Sequence, residues 1–131
     1  MKRTILIVTE RRADYSKFRP ILKEIEKSKK LDYFLIVTGS HLLPKYGASI
    51  REIYSDGFKI TKKFQMYSKR KEDSGYEMSK ALGKCIIELS DIVKKLDPTI
   101  ILSGFDLGSN LAVSIVGAHL NKIVAHVEVV K

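Results

Sequence analysis

What most constrains this chain is a rhythm. Short runs of branched apolar residues recur along it: "TILIVT" at 4–9, "YFLIVTG" at 33–39, "TIILSG" at 99–104 and "KIVAHVEVV" at 122–130. Between them, apolar residues repeat every three or four positions. The stretch 17–30 carries Phe18, Ile21, Leu22 and Ile25 on one face. The stretch 75–96 carries Met78, Ala81, Leu82, Cys85, Ile86, Leu89, Ile92, Val93 and Leu96. Near-continuous apolar strands separated by amphipathic helices describe a parallel sheet covered on both faces. The rhythm therefore predicts an α/β, doubly wound, Rossmann-like domain over residues 1–131, a length that suits one domain. Apolar residues make up 44% of the chain, enough for such a core.

The remaining segments fit around that frame. The helix over 17–30 is expected to start near Ser16, with Pro20 early, where a missing N–H costs least. Residues 41–57 read as a loop, a short helix and a turn. Residues 58–65 alternate and read as an edge strand, and 67–75 as a polar, mobile connection. A last helix is expected over 109–120, opened by Ser109 or Asn110. Cys85 falls on a helical stripe and reads as a small core residue. His126, among apolar neighbours on a strand, reads as a core histidine. His119 lies near a helix C-terminus, where its charge is favoured.

In open parallel sheets, ligands bind beyond the carboxyl ends of the strands. That rule collects Arg12 after strand one, Gly39-Ser40-His41 after strand two, Asp106 after strand four and Glu128 after strand five. Arg12 and Lys17 flank a strand-to-helix turn, where unpaired backbone N–H groups favour an anion and an arginine adds bidentate reach. The plainer alternative is a pair of surface cations. Asp106 and Glu128 converge on one crevice if the strand order is 3-2-1-4-5. Two such carboxylates suit acid–base chemistry, and they are equally explained as a loop or capping residue and a strand-end charge. His41 is either a donor to a substrate or a loop histidine. The chain has no GxGxxG and no GxxxxGK[ST], which argues against a nicotinamide cofactor or a P-loop. Its histidines and single cysteine have no zinc-site spacing.

The net charge of +9 is uneven: +3 over residues 1–18, +8 over 19–71 and −2 over 72–131. A lysine-rich solvated surface, a nucleic-acid groove and an anionic small-molecule ligand each fit this pattern, and the lysine-rich surface fits it best. A nucleic-acid partner is not expected. No apolar run approaches the ~20 residues that would span a membrane. The N-terminal apolar run is too short for a secretory signal, and a lone cysteine suits a reducing cytosol. The expected location is cytoplasmic.

Five segments, in order, carry a family resemblance: "RADYSKFRP" (12–20), "VTGSHLLPKYG" (37–47), "EIYSDGF" (52–58), "LDPTIILSGFD" (96–106) and "AHLNKIVAHVE" (118–128). The chain resembles the UDP-N-acetylglucosamine 2-epimerases, and its RADYSK and GSHL forms look most like the hydrolysing branch that feeds sialic-acid and related sugar pathways. The resemblance implies the N-terminal half of a two-domain, GT-B-type enzyme acting on a UDP-sugar. Proton abstraction at C2 and loss of UDP would give a 2-acetamidoglucal, to which water or UDP adds back with C2 inverted. It implies no metal or redox cofactor. By resemblance, Arg12, Ser16 and Lys17 face the nucleotide phosphates, and Asp106 and Glu128 belong to the acid–base set.

Two departures stand out. Hydrolysing members carry an arginine after the aspartate, whereas Leu107 follows Asp106. The family continues through "HIEGGE" into a second domain, whereas this sequence reads Glu128-Val129-Val130-Lys131. The expectation is that these 131 residues alone are not a competent epimerase, and that an exposed half-cleft drives self-association into a homo-oligomer. The competing readings are a stand-alone flavodoxin-like binding module and a basic nucleic-acid-binding domain.

Overall fold

The computed structural model describes residues 2–44, 49–67, 74–104 and 108–127. Five parallel strands form one sheet in the order β3-β2-β1-β4-β5. The strands are β1 (Arg3–Thr9), β2 (Leu31–Val37), β3 (Lys62–Lys63), β4 (Ile100–Gly104) and β5 (Ile123–Val127). The helices are α1 (Arg12–Lys27), α2 (Ile50–Ser55), α3 (Gly75–Leu96) and α4 (Gly108–His119), with a short 3-10 turn at Gly39–Leu42. The doubly wound Rossmann-like domain expected from the alternation is the one found.

The strand alternation divides the core between the two faces. Leu6 and Val8 of β1, Ile36 of β2 and Ile101 of β4 pack with Ala81, Cys85, Leu89 and Val93 of α3 and with Val113 and Val116 of α4. Ile7 of β1, and Leu35 and Val37 of β2, pack on the other face with Tyr15, Phe18, Leu22 and Ile25 of α1 and Ile53 of α2. Successive strand residues point to opposite faces, so a central strand must be apolar throughout, as "ILIV" is. Cys85 is buried as expected, and burial pushes its thiol up to about 12, so it is an inert apolar residue here.

Apart from strand ends shifted by one or two residues, as in β2 at 31–37 rather than 33–39, four elements differ from the sequence expectation. Helix α1 starts at Arg12, about one turn earlier than Ser16. Asp14 is the reason: its carboxylate accepts hydrogen bonds from the backbone N–H of Glu10 at 3.0 Å and of Arg11 at 3.2 Å, capping the helix from inside its first turn. Ser16 therefore lies within the helix, donating to the Ala13 carbonyl at 2.9 Å, and Pro20 lies mid-helix. Strand β3 is two residues long rather than eight, because Phe58 turns into the core and the Lys59 N–H donates to the Tyr33 hydroxyl instead of a strand carbonyl. Its two exposed lysines suit an edge strand. Strand β5 is only partly covered, and His126 is exposed rather than buried. The strand is at the sheet's edge, and the α1/α2 core contains none of its residues. Helix α4 begins at Gly108, one residue before Ser109. Of the connection at 67–75 expected to be mobile, residues 68–73 lie outside the described residues, while Ser74 caps α3 and Gly75 opens it.

Gly39 shows how closely the strand ends pack. It holds a φ of +66°, and a β-carbon there would come within 2.3 Å of Glu10 Cγ and 2.5 Å of the Glu10 carbonyl oxygen. A substitution would combine left-handed strain with a clash against backbone. Gly39→Ala is expected to lower stability by about 2 kcal/mol, read from the urea midpoint. An unchanged midpoint would show that the β1 and β2 ends are not in contact.

Candidate functional site

The polar residues gather where β1, β2 and β4 end. Nothing in the sequence reading singled out the residue at their centre, Glu10. It follows β1 directly and is 4% exposed. One carboxylate oxygen accepts the Ser109 backbone N–H at 2.8 Å, at the start of α4. The other accepts the Tyr67 hydroxyl at 2.7 Å. The Glu10 carbonyl accepts the His41 N–H at 3.4 Å and the Ser40 hydroxyl at 3.3 Å. A buried carboxylate is expensive unless hydrogen-bonded, and here the donors come from two separate segments. The available signal was a charge set directly against an apolar strand.

Beside Glu10 runs a chain of buried side chains. The Thr9 hydroxyl donates to Asp14 at 2.5 Å, and His41 Nε2 lies 2.8 Å from the same hydroxyl. His41 Nδ1 lies 2.7 Å from the Ser49 hydroxyl. Because an ionised Asp14 takes the Thr9 proton, Thr9 must accept from His41 Nε2–H, and Nδ1 accepts from Ser49. Burial pulls His41 down to about 4, so the ring is neutral at pH 7. Burial pushes Asp14 up to about 6 against its three hydrogen bonds.

The cationic residues form the outer part of the edge. Arg12 is exposed in the first turn of α1, and its Nε lies 3.2 Å from Glu52 Oε2 of α2. Ser16, one turn on, and Lys17 are exposed as well. Behind them, Asp56 at the end of α2 takes the Tyr15 hydroxyl at 2.5 Å and a two-pronged contact from Arg19 at 2.9 and 3.3 Å. The Tyr15 hydrogen bond, then Arg19, hold the Asp56 carboxyl below its usual range. This anchor fixes α2, and with it Glu52, against α1. At the far side, Asn110 ties α4 to β4: its side-chain oxygen accepts the Gly104 N–H at 3.1 Å, and its carbonyl accepts the Ser103 hydroxyl at 3.1 Å.

Arg12, Ser16 and Lys17 are thus brought together on the first turns of α1, and His41 lies inside, both ring nitrogens engaged. Asp106 and Glu128 lie outside the described residues. Among the described residues, no group of histidine, cysteine and acidic side chains could hold a metal ion. No helix among them is long and apolar enough to cross a membrane.

A parallel α/β domain with its polar residues at the carboxyl edge of the central strands is the class that takes nucleotide-like ligands at a topological switch point. The chain belongs to the UDP-N-acetylglucosamine 2-epimerase family, whose sequence profile matches residues 23–129. It is 34% identical over 126 residues to a hydrolysing UDP-N,N'-diacetylbacillosamine 2-epimerase of Legionella pneumophila, covering 96% of this chain and 33% of the relative. It is 33% identical over 128 residues to a UDP-N-acetylglucosamine 2-epimerase of Neisseria meningitidis, covering 98% and 32%. Its fold matches the Methanocaldococcus jannaschii UDP-GlcNAc 2-epimerase, solved in complex with UDP-GlcNAc and UDP, with a TM-score of 0.74 at 25% identity, over 97% of this chain and 32% of that one. The chain spans about a third of the length of these relatives.

The two buried groups oppose each other as pH changes. Asp14, raised from 3.8 to about 6, contributes stability that is present below 3.8 and lost as pH rises through 6. His41, lowered from 6.5 to about 4, contributes stability that is present above 6.5 and lost as pH falls through 4. Between pH 4 and 6.5 the two slopes offset. Thermal melts should show Asp14→Asn gaining stability with rising pH relative to the parent chain, and His41→Gln losing it. Parallel curves for all three proteins would contradict this assignment.

Proposed function

We propose that this domain is the sugar-side wall of a nucleotide-sugar 2-epimerase site, working as the N-terminal half of a two-domain GT-B enzyme. The observation that carries the reading is the family match over 23–129 combined with an exposed cationic turn, Arg12 to Lys17, at the carboxyl edge. The proposed substrate is a UDP-N-acetylhexosamine. Arg12 and Lys17 would meet the diphosphate, with Ser16 beside them as a hydroxyl donor. The exposed Arg12 guanidinium, paired with Glu52 at 3.2 Å, supports this reading. His41 would serve from behind, setting Ser49 and the end of β2 through its two ring nitrogens.

The proposed reaction needs one base and one acid. A carboxylate removes the C2 proton, the C–H electrons form the C1–C2 double bond, and the C1–O bond to UDP breaks with its electrons leaving on UDP. In the hydrolysing version, water then adds its oxygen to C1 while a proton returns to the opposite face of C2. Asp106 and Glu128 are proposed for these proton transfers. The hydrolysing version is favoured by the RADYSK and GSHL forms and by relatives that carry that description. Cytoplasmic location, self-association and a role in sialic-acid-type sugar synthesis belong to the same proposal.

Two measurements test it. The 131-residue chain alone should release no UDP from UDP-N-acetylglucosamine above a no-enzyme control, because one wall of the cleft is not a complete site. Steady release would contradict the half-site reading. In the protein carrying this domain together with its facing domain, Arg12→Ala should raise KM about 10-fold, the loss of one charge-assisted contact. Arg11→Ala should change it little. Equal effects of the two, or none, would remove Arg12 from the site.

A further inference from the structure

The start of a helix at the carboxyl edge of a parallel sheet is normally the place where a phosphate sits, because its N–H groups are unpaired and its dipole favours an anion. One such place here is the start of α4, and the chain fills it itself. The Glu10 carboxylate accepts the Ser109 N–H at 2.8 Å, and Glu10 is held in position by the Tyr67 hydroxyl at 2.7 Å. Its backbone is pinned from three sides. Asp14 takes its N–H, while the His41 N–H and the Ser40 hydroxyl take its carbonyl. Gly39 lacks the β-carbon that would collide with it. Two further groups in the same turn are buried without a hydrogen-bond partner: the Ser109 hydroxyl, on a residue that is 0% exposed, and the Asn110 side-chain nitrogen, on one that is 1% exposed.

We propose that Glu10 is a specificity-determining residue: a built-in anion that closes the start of α4 to phosphate and so directs a ligand's phosphates to the Arg12–Lys17 end of the edge. A second negative charge at the Ser109 N–H would have to approach a buried carboxylate that already holds that donor. Coulomb repulsion between like charges is strongest where water is excluded. The two unpartnered groups in the same turn, a hydroxyl and a side-chain amide nitrogen, carry no charge that would offset this repulsion. The direction of a ligand's phosphates to the Arg12–Lys17 end rests on the nucleotide-sugar reading. The exclusion of phosphate from α4 does not.

The test uses the 131-residue chain and inorganic phosphate, followed at the backbone amides by NMR. In the unaltered chain, the Ser109 amide should not respond to phosphate up to tens of millimolar. In Glu10→Ala it should shift and saturate, with affinity tightened at least 10-fold. In Tyr67→Phe, which keeps the charge, it should stay silent. If Glu10→Ala does not fold, Glu10→Thr removes the charge, is too short to hold the Ser109 N–H, and should give the same response. Saturable binding at Ser109 in the unaltered chain, or none in the folded charge-removed variant, would overturn the proposal. UDP release plays no part in this measurement, so its outcome is independent of whether the epimerase reading holds.

Discussion

The carboxyl edge of this sheet depends on one buried carboxylate. Glu10 leaves the end of the central strand and reaches to Ser109 at the start of α4 and to Tyr67 beyond β3, while its carbonyl receives the turn after β2. Each of these segments has its own packing, but nothing in strand pairing alone fixes how they sit relative to one another at the edge. A charge-assisted hydrogen bond is about twice as strong as a neutral one. Losing one partner would leave a buried charge unsatisfied, which costs more than the bond contributes. The arrangement is therefore held as a unit, and the residues around it inherit fixed positions.

The same economy of space explains the neighbouring chain of Asp14, Thr9, His41 and Ser49. Asp14 caps α1 and also sets the direction of every hydrogen bond in that chain. The neutral His41 ring then behaves as a rigid bridge between β1 and the segment entering α2. The cap that starts α1 at Arg12 is what puts Arg12, Ser16 and Lys17 on the first turns of the helix, at the edge where a ligand would come.

The sheet was legible because periodicity reports burial directly. "ILIV" at 5–8 and "IL" at 101–102 are apolar on both faces, and the structure packs them between two helical layers. The 3.6-residue stripe of α3 was equally plain, and both of its ends match the expectation. What the sequence hid was contact between distant segments. Asp14 looked like one more charge in a polar stretch, because its partners are backbone N–H groups. His41 looked like a loop residue until β1 supplied Thr9. Glu10 drew no attention, since its partners lie 57 and 99 positions away. β5 misled for a different reason: an apolar strand at a sheet edge has the same composition as a central one. The family resemblance, read from five short segments, was confirmed by the match over 23–129.

The central claim is that the carboxyl edge, organised around Glu10, is the face this domain offers to a nucleotide sugar. Titrating the chain with UDP-N-acetylglucosamine and following every backbone amide by NMR tests it most directly. The account predicts shifts confined to residues 11–17, 39–41, 106–110 and 128, with none at the opposite ends of the strands near Arg3, Leu31 and Ile100. Shifts clustered at those opposite ends, or on the outer face of α3, would contradict it.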